Sequence, residues 1–140
     1  MYFVTICTKD RRNILSRIIE NGKYKKSIVE KTKIGEDVQS TLEYINNNKQ
    51  DVSIEEFVIM PNHVHLLIKI WGTGGHGNKP LHRIIASVKS YVCKLQREKI
   101  EIWQRNYYEH IVRSEKELEE IWKYIDENPV KWKEDELYTE

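Results

Sequence analysis

The run Ile54-Glu-Glu-Phe-Val-Ile-Met-Pro-Asn-His-Val-His-Leu-Leu-Ile-Lys-Ile70 sets the fold of this chain. It divides at Pro61-Asn62, residues suited to the centre of a tight turn, into two segments rich in β-branched and aliphatic side chains. The pattern predicts a β-hairpin with arms over 54–60 and 63–70. In the second arm successive side chains face opposite ways, so Val64, Leu66, Ile68 and Ile70 form an apolar row that demands burial, and His63 and His65 stand together on the other face. A one-residue slip would carry both imidazoles into the core, so the apolar row pins the register. Two adjacent imidazoles are half of a metal site. Either ring is equally compatible with a surface or hydrogen-bonded histidine, and the remaining ligands must come from elsewhere.

Outward from this hairpin, Tyr2 to Thr8 reads as a first strand. Asn21-Gly22 is a turn signal between 14–19 and 23–29, a short hairpin excursion. Thr32 can cap a helix with apolar positions Ile34, Val38, Leu42 and Ile45, ended by Asn46-Asn-Asn48. Trp71 to Asn78 is a glycine-rich loop that holds His76 and lacks a phosphate-binding pattern. Pro80 suits the first turn of a helix whose stripe is Leu81, Ile84, Ile85, Val88, Val92 and Leu95, with Lys89, Lys94 and Arg97 outside it. Tyr107 to Arg113 reads as another strand. Ser114-x-x-Glu117 is a capping box for a last helix with core positions Leu118, Ile121, Trp122 and Ile125, which Pro129 stops near Asn128. The order strand, helix, strand, strand, helix, strand, helix predicts one α+β domain over 1–140. Its architecture is a ferredoxin-like antiparallel sheet with helices on one face and a further C-terminal helix; with the apolar row against the helices, His63 and His65 emerge on the open sheet face, where a third helix can lie.

A charged fraction of 32% beside 39% hydrophobic residues belongs to a globular protein, and no apolar run has the length of a membrane span. A length of 140 residues excludes an eight-stranded, eight-helix barrel. Cys7 and Cys93 have no paired spacing and read as reduced residues of a cytosolic protein. Lys+Arg against Asp+Glu runs ten to six over 1–50, seven to four over 51–100 and six to twelve over 101–140, giving +4, +3 and −6. Basic residues of the first hundred positions can meet phosphates; a charge run is also simply a solvated face.

The last helix places Tyr124 and Asn128 four residues apart, hence on one side. A phenol is a possible nucleophile and an amide oxygen a ligand for a hard ion; equally, Tyr124 can flank the core and Asn128 can end the helix.

Three segments together carry a resemblance: Val58-Ile-Met-Pro-Asn-His-Val-His-Leu-Leu67, Trp103-Gln-Arg-Asn-Tyr-Tyr-Glu-His-Ile-Val-Arg113 and Tyr124-Ile-Asp-Glu-Asn-Pro-Val130. In order, spacing and flanking residues they resemble the HUH-type single-tyrosine transposases, most closely the REP-associated tyrosine transposases, over Tyr2 to about Trp132. The resemblance implies that His63, His65 and Asn128 hold a divalent metal, Mg²⁺ or Mn²⁺, and that Tyr124 on the C-terminal helix is the catalytic nucleophile. It further implies a single-stranded DNA endonuclease and strand transferase acting next to palindromic hairpins through a 5′-phosphotyrosine, in the bacterial cytosol, as a monomer or a homodimer exchanging its last helix. Arg11, Arg12, Lys89, Lys94 and Arg97 are the candidate DNA contacts. Tyr91, Tyr107 and Tyr108 are rival nucleophiles by residue type, and His110 is expected to support the sheet. A metal hydrolase that uses water, and a domesticated module that binds hairpins without cutting, are the competing functions.

Overall fold

A computed structural model describes residues 1–21, 26–71, 80–96 and 100–140. The Gly22 turn with residues 23–25, the loop 72–79 with His76, and Arg97 lie outside the described residues.

The elements follow the expected order. They are β1 (Tyr2–Cys7), a hairpin of β2 (Ser16–Asn21) and β3 (Lys26–Lys31), α1 (Lys33–Asn48), β4 (Val52–Ile59), β5 (His63–Ile70), α2 (Pro80–Leu95), β6 (Tyr108–Ile111) and α3 (Glu115–Glu127). The main sheet is antiparallel with the order β4-β5-β1-β6, and β2-β3 form a separate two-stranded sheet. Counting only the four strands of the main sheet, the order is 2-3-1-4, the ferredoxin-like arrangement.

Local chemistry explains the boundaries. Thr32 Oγ1 accepts from the Gly35 N–H to cap α1, and Ser114 Oγ accepts from the Glu117 N–H to cap α3. A Cβ on Gly35 would lie 2.0 Å from the Leu15 carbonyl oxygen, so only glycine lets this helix start so close to the chain before β2. Met60 N–H donates to the His63 carbonyl at 2.8 Å and closes the Pro61-Asn62 turn.

The register puts Val4 opposite Leu66 and Ile6 opposite Val64, and these side chains pack beneath α1 and α2 with Val38, Leu42, Ile85, Val88 and Val92. The expected apolar row of β5 is therefore in the core. Leu95 departs from the expected stripe and is exposed at the helix end. The other sheet face carries Phe3, Thr5 and Cys7 from β1 and His63, His65 and Leu67 from β5. That face lies under α3 and the segment after it.

Candidate active site

His63 and His65 are 0% and 3% exposed, which corrects the expectation of an open sheet face. The cover is aromatic. Phe3 stacks on His65 with centroids 5.2 Å apart, Tyr124 meets His65 edge-on at 5.4 Å, and Trp132 lies 6.0 Å from His63. The two imidazoles themselves are 4.6 Å apart.

Each ring is held by its Nδ1. Asn62 Oδ1 is 2.8 Å from His63 Nδ1, and Thr5 Oγ1 is 2.8 Å from His65 Nδ1. Asn62 cannot turn its amide around, because its Nδ2 donates to the Leu137 carbonyl at 2.6 Å and approaches the Arg11 carbonyl at 3.4 Å. Its oxygen can only accept, so His63 carries its proton on Nδ1 and turns a bare Nε2 lone pair inward. Such an outer partner orients a ligand and sets its tautomer.

Tyr124 and Asn128 arrive on α3 as their four-residue spacing requires. Asn128 is 3% exposed and Tyr124 45%. After Pro129 the chain makes a 3₁₀ turn, Trp132–Glu134, that delivers Asp135. The Asp135 side chain is 3% exposed; its Oδ1 accepts from the Leu137 N–H at 2.8 Å, while Oδ2 accepts from Asn128 Nδ2 at 3.2 Å and lies 3.8 Å from His63 Nε2. Asp135 escaped the sequence reading. Its signal was at most an acid within the charged tail, and nothing local distinguishes it from Glu134 or Glu136.

Among the described residues, four buried side-chain polar atoms lack a hydrogen-bond partner, and three of them meet here: His63 Nε2, His65 Nε2 and Asn128 Oδ1. Each such atom costs about 1–3 kcal/mol of desolvation. Three in one place argue for a ligand rather than for packing. The ligating atoms of His63, His65 and Asp135 all lie within 4.8 Å of one another. Imidazole nitrogens with amide and carboxylate oxygens suit a divalent ion.

The electrostatics agree. Burial pushes His63 down to about 4, against the opposing charge of Asp135 and the nearby polar amide of Asn128. Burial, then His63, holds His65 well below the ordinary histidine range. Both rings are therefore neutral, the form that binds a metal. Burial and the charge of Asp135 raise the Tyr124 phenol above its usual value, opposed by a hydrogen bond from Asn128. Beside Tyr124 opens a pocket of about 300 Å³ lined by Glu127, Asn128, Lys131, Glu134, Asp135 and Glu136.

The rival residues fall elsewhere. Tyr91 stacks on Tyr44 in the α1–α2 layer, at 5.9 Å. Tyr107 packs at the edge of the core, and Tyr108 is exposed on β6 opposite Thr5. His110 Nε2 pairs with Glu117, tying β6 to the start of α3.

The candidate DNA contacts do not form one surface. Lys89 Nζ donates to the carbonyls of Gln104 at 2.8 Å and Asn106 at 3.1 Å, and approaches that of Arg105 at 3.4 Å, anchoring this loop. Arg12 donates from Nε to the Lys9 carbonyl at 3.1 Å and from Nη2 to the Glu101 carbonyl. Lys94 is exposed on α2, in the layer opposite the histidines. Arg11 is exposed and lines a cleft of about 790 Å³ with Lys9, Asp10, Glu101, Trp103, Gln104 and Arg105. Arg105 had not stood out in the sequence.

Fold and site together define a ferredoxin-like domain with a buried histidine pair facing a tyrosine helix. The family model for IS200-like transposases matches residues 10–128, and the chain belongs to that family. A protein of Haemophilus influenzae described only as uncharacterized is 35% identical over 160 aligned residues, covering 99% of this chain and 85% of its own. Among solved structures, a REP-associated tyrosine transposase bound to a REP hairpin superposes with a TM-score of 0.62 at 21% identity, over 93% of this chain and 66% of that one. A Deinococcus radiodurans protein described as a candidate transposase gives 0.53 at 18% identity, over 89% and 87%. These two show that the fold is shared. Among the described residues, no helix is long and apolar enough to cross a membrane.

Proposed function

We propose that this protein cuts and rejoins single-stranded DNA beside a hairpin, with Tyr124 as nucleophile and a divalent metal, Mg²⁺ or Mn²⁺, held by His63, His65 and Asn128. The observation that carries the reading is the convergence of three partnerless buried ligand atoms next to a half-exposed phenol on the same chain.

The phenolic oxygen of Tyr124 attacks the scissile phosphorus; the O–P bond that forms leaves a 5′-phosphotyrosine, and the bond that breaks releases a 3′-oxygen that takes up a proton. One phosphodiester replaces another, so a 3′-hydroxyl can reverse the step and reseal the strand without a nucleotide cofactor. A phenol with an ordinary pKa is only ~0.1% ionised at pH 7, a deficit of about 4 kcal/mol, and burial deepens it here. A bound divalent ion supplies Lewis-acid polarisation of the phosphate and stabilises the developing charge. Phe3 and His65 seat the Tyr124 ring, with centroids at 6.2 and 5.4 Å, and limit its approach. Asn128 donates toward the phenolate and favours the ionised form.

The REP hairpin bound by the structural neighbour supports a hairpin as partner. The cleft with Arg11 and Arg105 begins where β1 ends, one strand away from His63, and is the path proposed for the flanking strand. The test is incubation with labelled single-stranded hairpins taken from the flanks of the protein's own gene. A metal-dependent covalent adduct that disappears in Tyr124→Phe is expected. Cleavage that persists in Tyr124→Phe without adduct would assign a water-using hydrolase, and binding without cleavage a non-catalytic module.

A further inference from the structure

The C-terminal segment does more than cover the site. Trp132 is 8% exposed against His63 and Tyr138, and the segment is tied down at both ends. Lys133 pairs with Glu20 at 3.5 Å, Asn62 Nδ2 donates to Leu137, and Asn13 Nδ2 donates to the Thr139 carbonyl at 3.0 Å. Between these ties sits the buried Asp135 carboxylate. Its Oδ1 is occupied by the Leu137 N–H, so the orientation of Oδ2 is set. At 3.8 Å from His63 Nε2 that oxygen is too far for a hydrogen bond, and both atoms carry lone pairs that a cation can accept. This carboxylate lies beside neutral imidazoles with one hydrogen bond to each oxygen, from the Leu137 N–H and from Asn128 Nδ2, fewer than its lone pairs can accept.

We infer that Asp135 is a further ligand of the metal, so that ion binding and docking of the segment 132–138 are one coupled equilibrium. The inference rests on the metal site proposed above. His63 links to this segment twice, through Asp135 directly and through Asn62, whose amide is held by Leu137. An ion that draws Oδ2 inward therefore reinforces the contact that sets the His63 tautomer, and the docked segment in turn presents a preformed donor. The carboxylate also halves the net positive charge that a divalent ion brings into this buried pocket.

The experiment uses the full chain and Mn²⁺ alone, read by the loss of its free paramagnetic resonance signal and by amide hydrogen exchange. Asp135→Asn keeps the Oδ1 acceptor for Leu137, replaces the anionic oxygen with an amide nitrogen and gives up the hydrogen bond from Asn128 Nδ2. It is expected to weaken Mn²⁺ binding at least 10-fold, whereas Asp135→Glu retains part of the affinity. In the wild-type chain Mn²⁺ should slow exchange across 132–138, and in Asp135→Asn it should not. Wild-type affinity in Asp135→Asn, or tail exchange indifferent to Mn²⁺ in the wild type, overturns the inference. His65→Ala separates the two levels: if it loses Mn²⁺ while Asp135→Asn does not, only the role of Asp135 fails. If His65→Ala binds Mn²⁺ undiminished, the metal site itself fails.

Discussion

On the face of the sheet covered by α1 and α2, Val4, Ile6, Val64, Leu66 and Ile68 meet the apolar stripes of two helices. On the other face the same strands present Thr5, His63 and His65 to α3, buried just as deeply, with three polar atoms there left without partners. Both faces exclude water. The first turns that exclusion into stability, and the second gives up stability by holding neutral imidazoles and unpaired polar atoms away from water. Adjacent residues of one strand thus serve opposite ends, as expected where a functional site violates the rules that its surroundings obey.

Val64→Asp should break the first face outright, since a buried carboxylate without a partner costs more than most domains of this size can spare. The expected result is loss of a cooperative urea transition; a folded Val64→Asp would show that the register is wrong. Tyr124→Phe should do the reverse, leaving stability within about 1 kcal/mol while covalent capture of DNA is lost. An intact adduct in that variant moves the nucleophile to another tyrosine.

His65→Leu sharpens the contrast. It fills the pocket with an apolar side chain of similar size and removes an orphaned nitrogen but strands the Thr5 hydroxyl, so the two effects oppose and the metal-free variant should stay within about 1–3 kcal/mol of the wild type. Mn²⁺ at 100 times its dissociation constant should stabilise the wild type by about 2.7 kcal/mol and the variant not at all. Chemical unfolding with and without the ion measures both.

The histidine pair should also give the metal-free protein an acid weakness. His63 titrates near 6.5 when unfolded and at about 4 when folded, so between these values the unfolded chain binds protons that the folded chain does not. Stability is therefore full above about pH 6.5 and declines as pH falls toward 4. His65 shifts in the same direction and adds to the slope. Urea midpoints across this window in the presence of chelator should show the decline, and a flat profile would mean that water reaches the rings.

The smallest effects concern the surface. Arg11→Glu and Arg105→Glu should each flatten the salt dependence of hairpin binding by roughly one unit of slope, as loss of one phosphate contact does. Lys94→Glu, on the far layer, should leave it nearly unchanged. Equal effects from all three would place the DNA on the helical side.

The strands, the helices, their caps and the pairing of His63 with His65 were legible because each depends on periods of two or 3.6 residues and on capping within one turn. Tyr124 and Asn128 were legible as neighbours for the same reason; the roles proposed for them came from the resemblance of three linked motifs. The burial of the histidines was not legible, because it depends on α3 and Trp132 folding across a face that alternation alone leaves open. Lys89 read as a free cation because the carbonyls it holds are 15 to 17 residues away. Asn62 read as a turn residue because its second use joins residues 75 apart in the chain.

Local pattern thus determined which side chains share a face, and with it the fold class, the histidine pair and the tyrosine helix. Tertiary structure alone decided which of those faces is dry, which acid of the tail reaches the histidines, and which cations are already committed to the chain's own carbonyls. These depend on long-range contacts, and a sequence carries no period that marks where a distant segment will return.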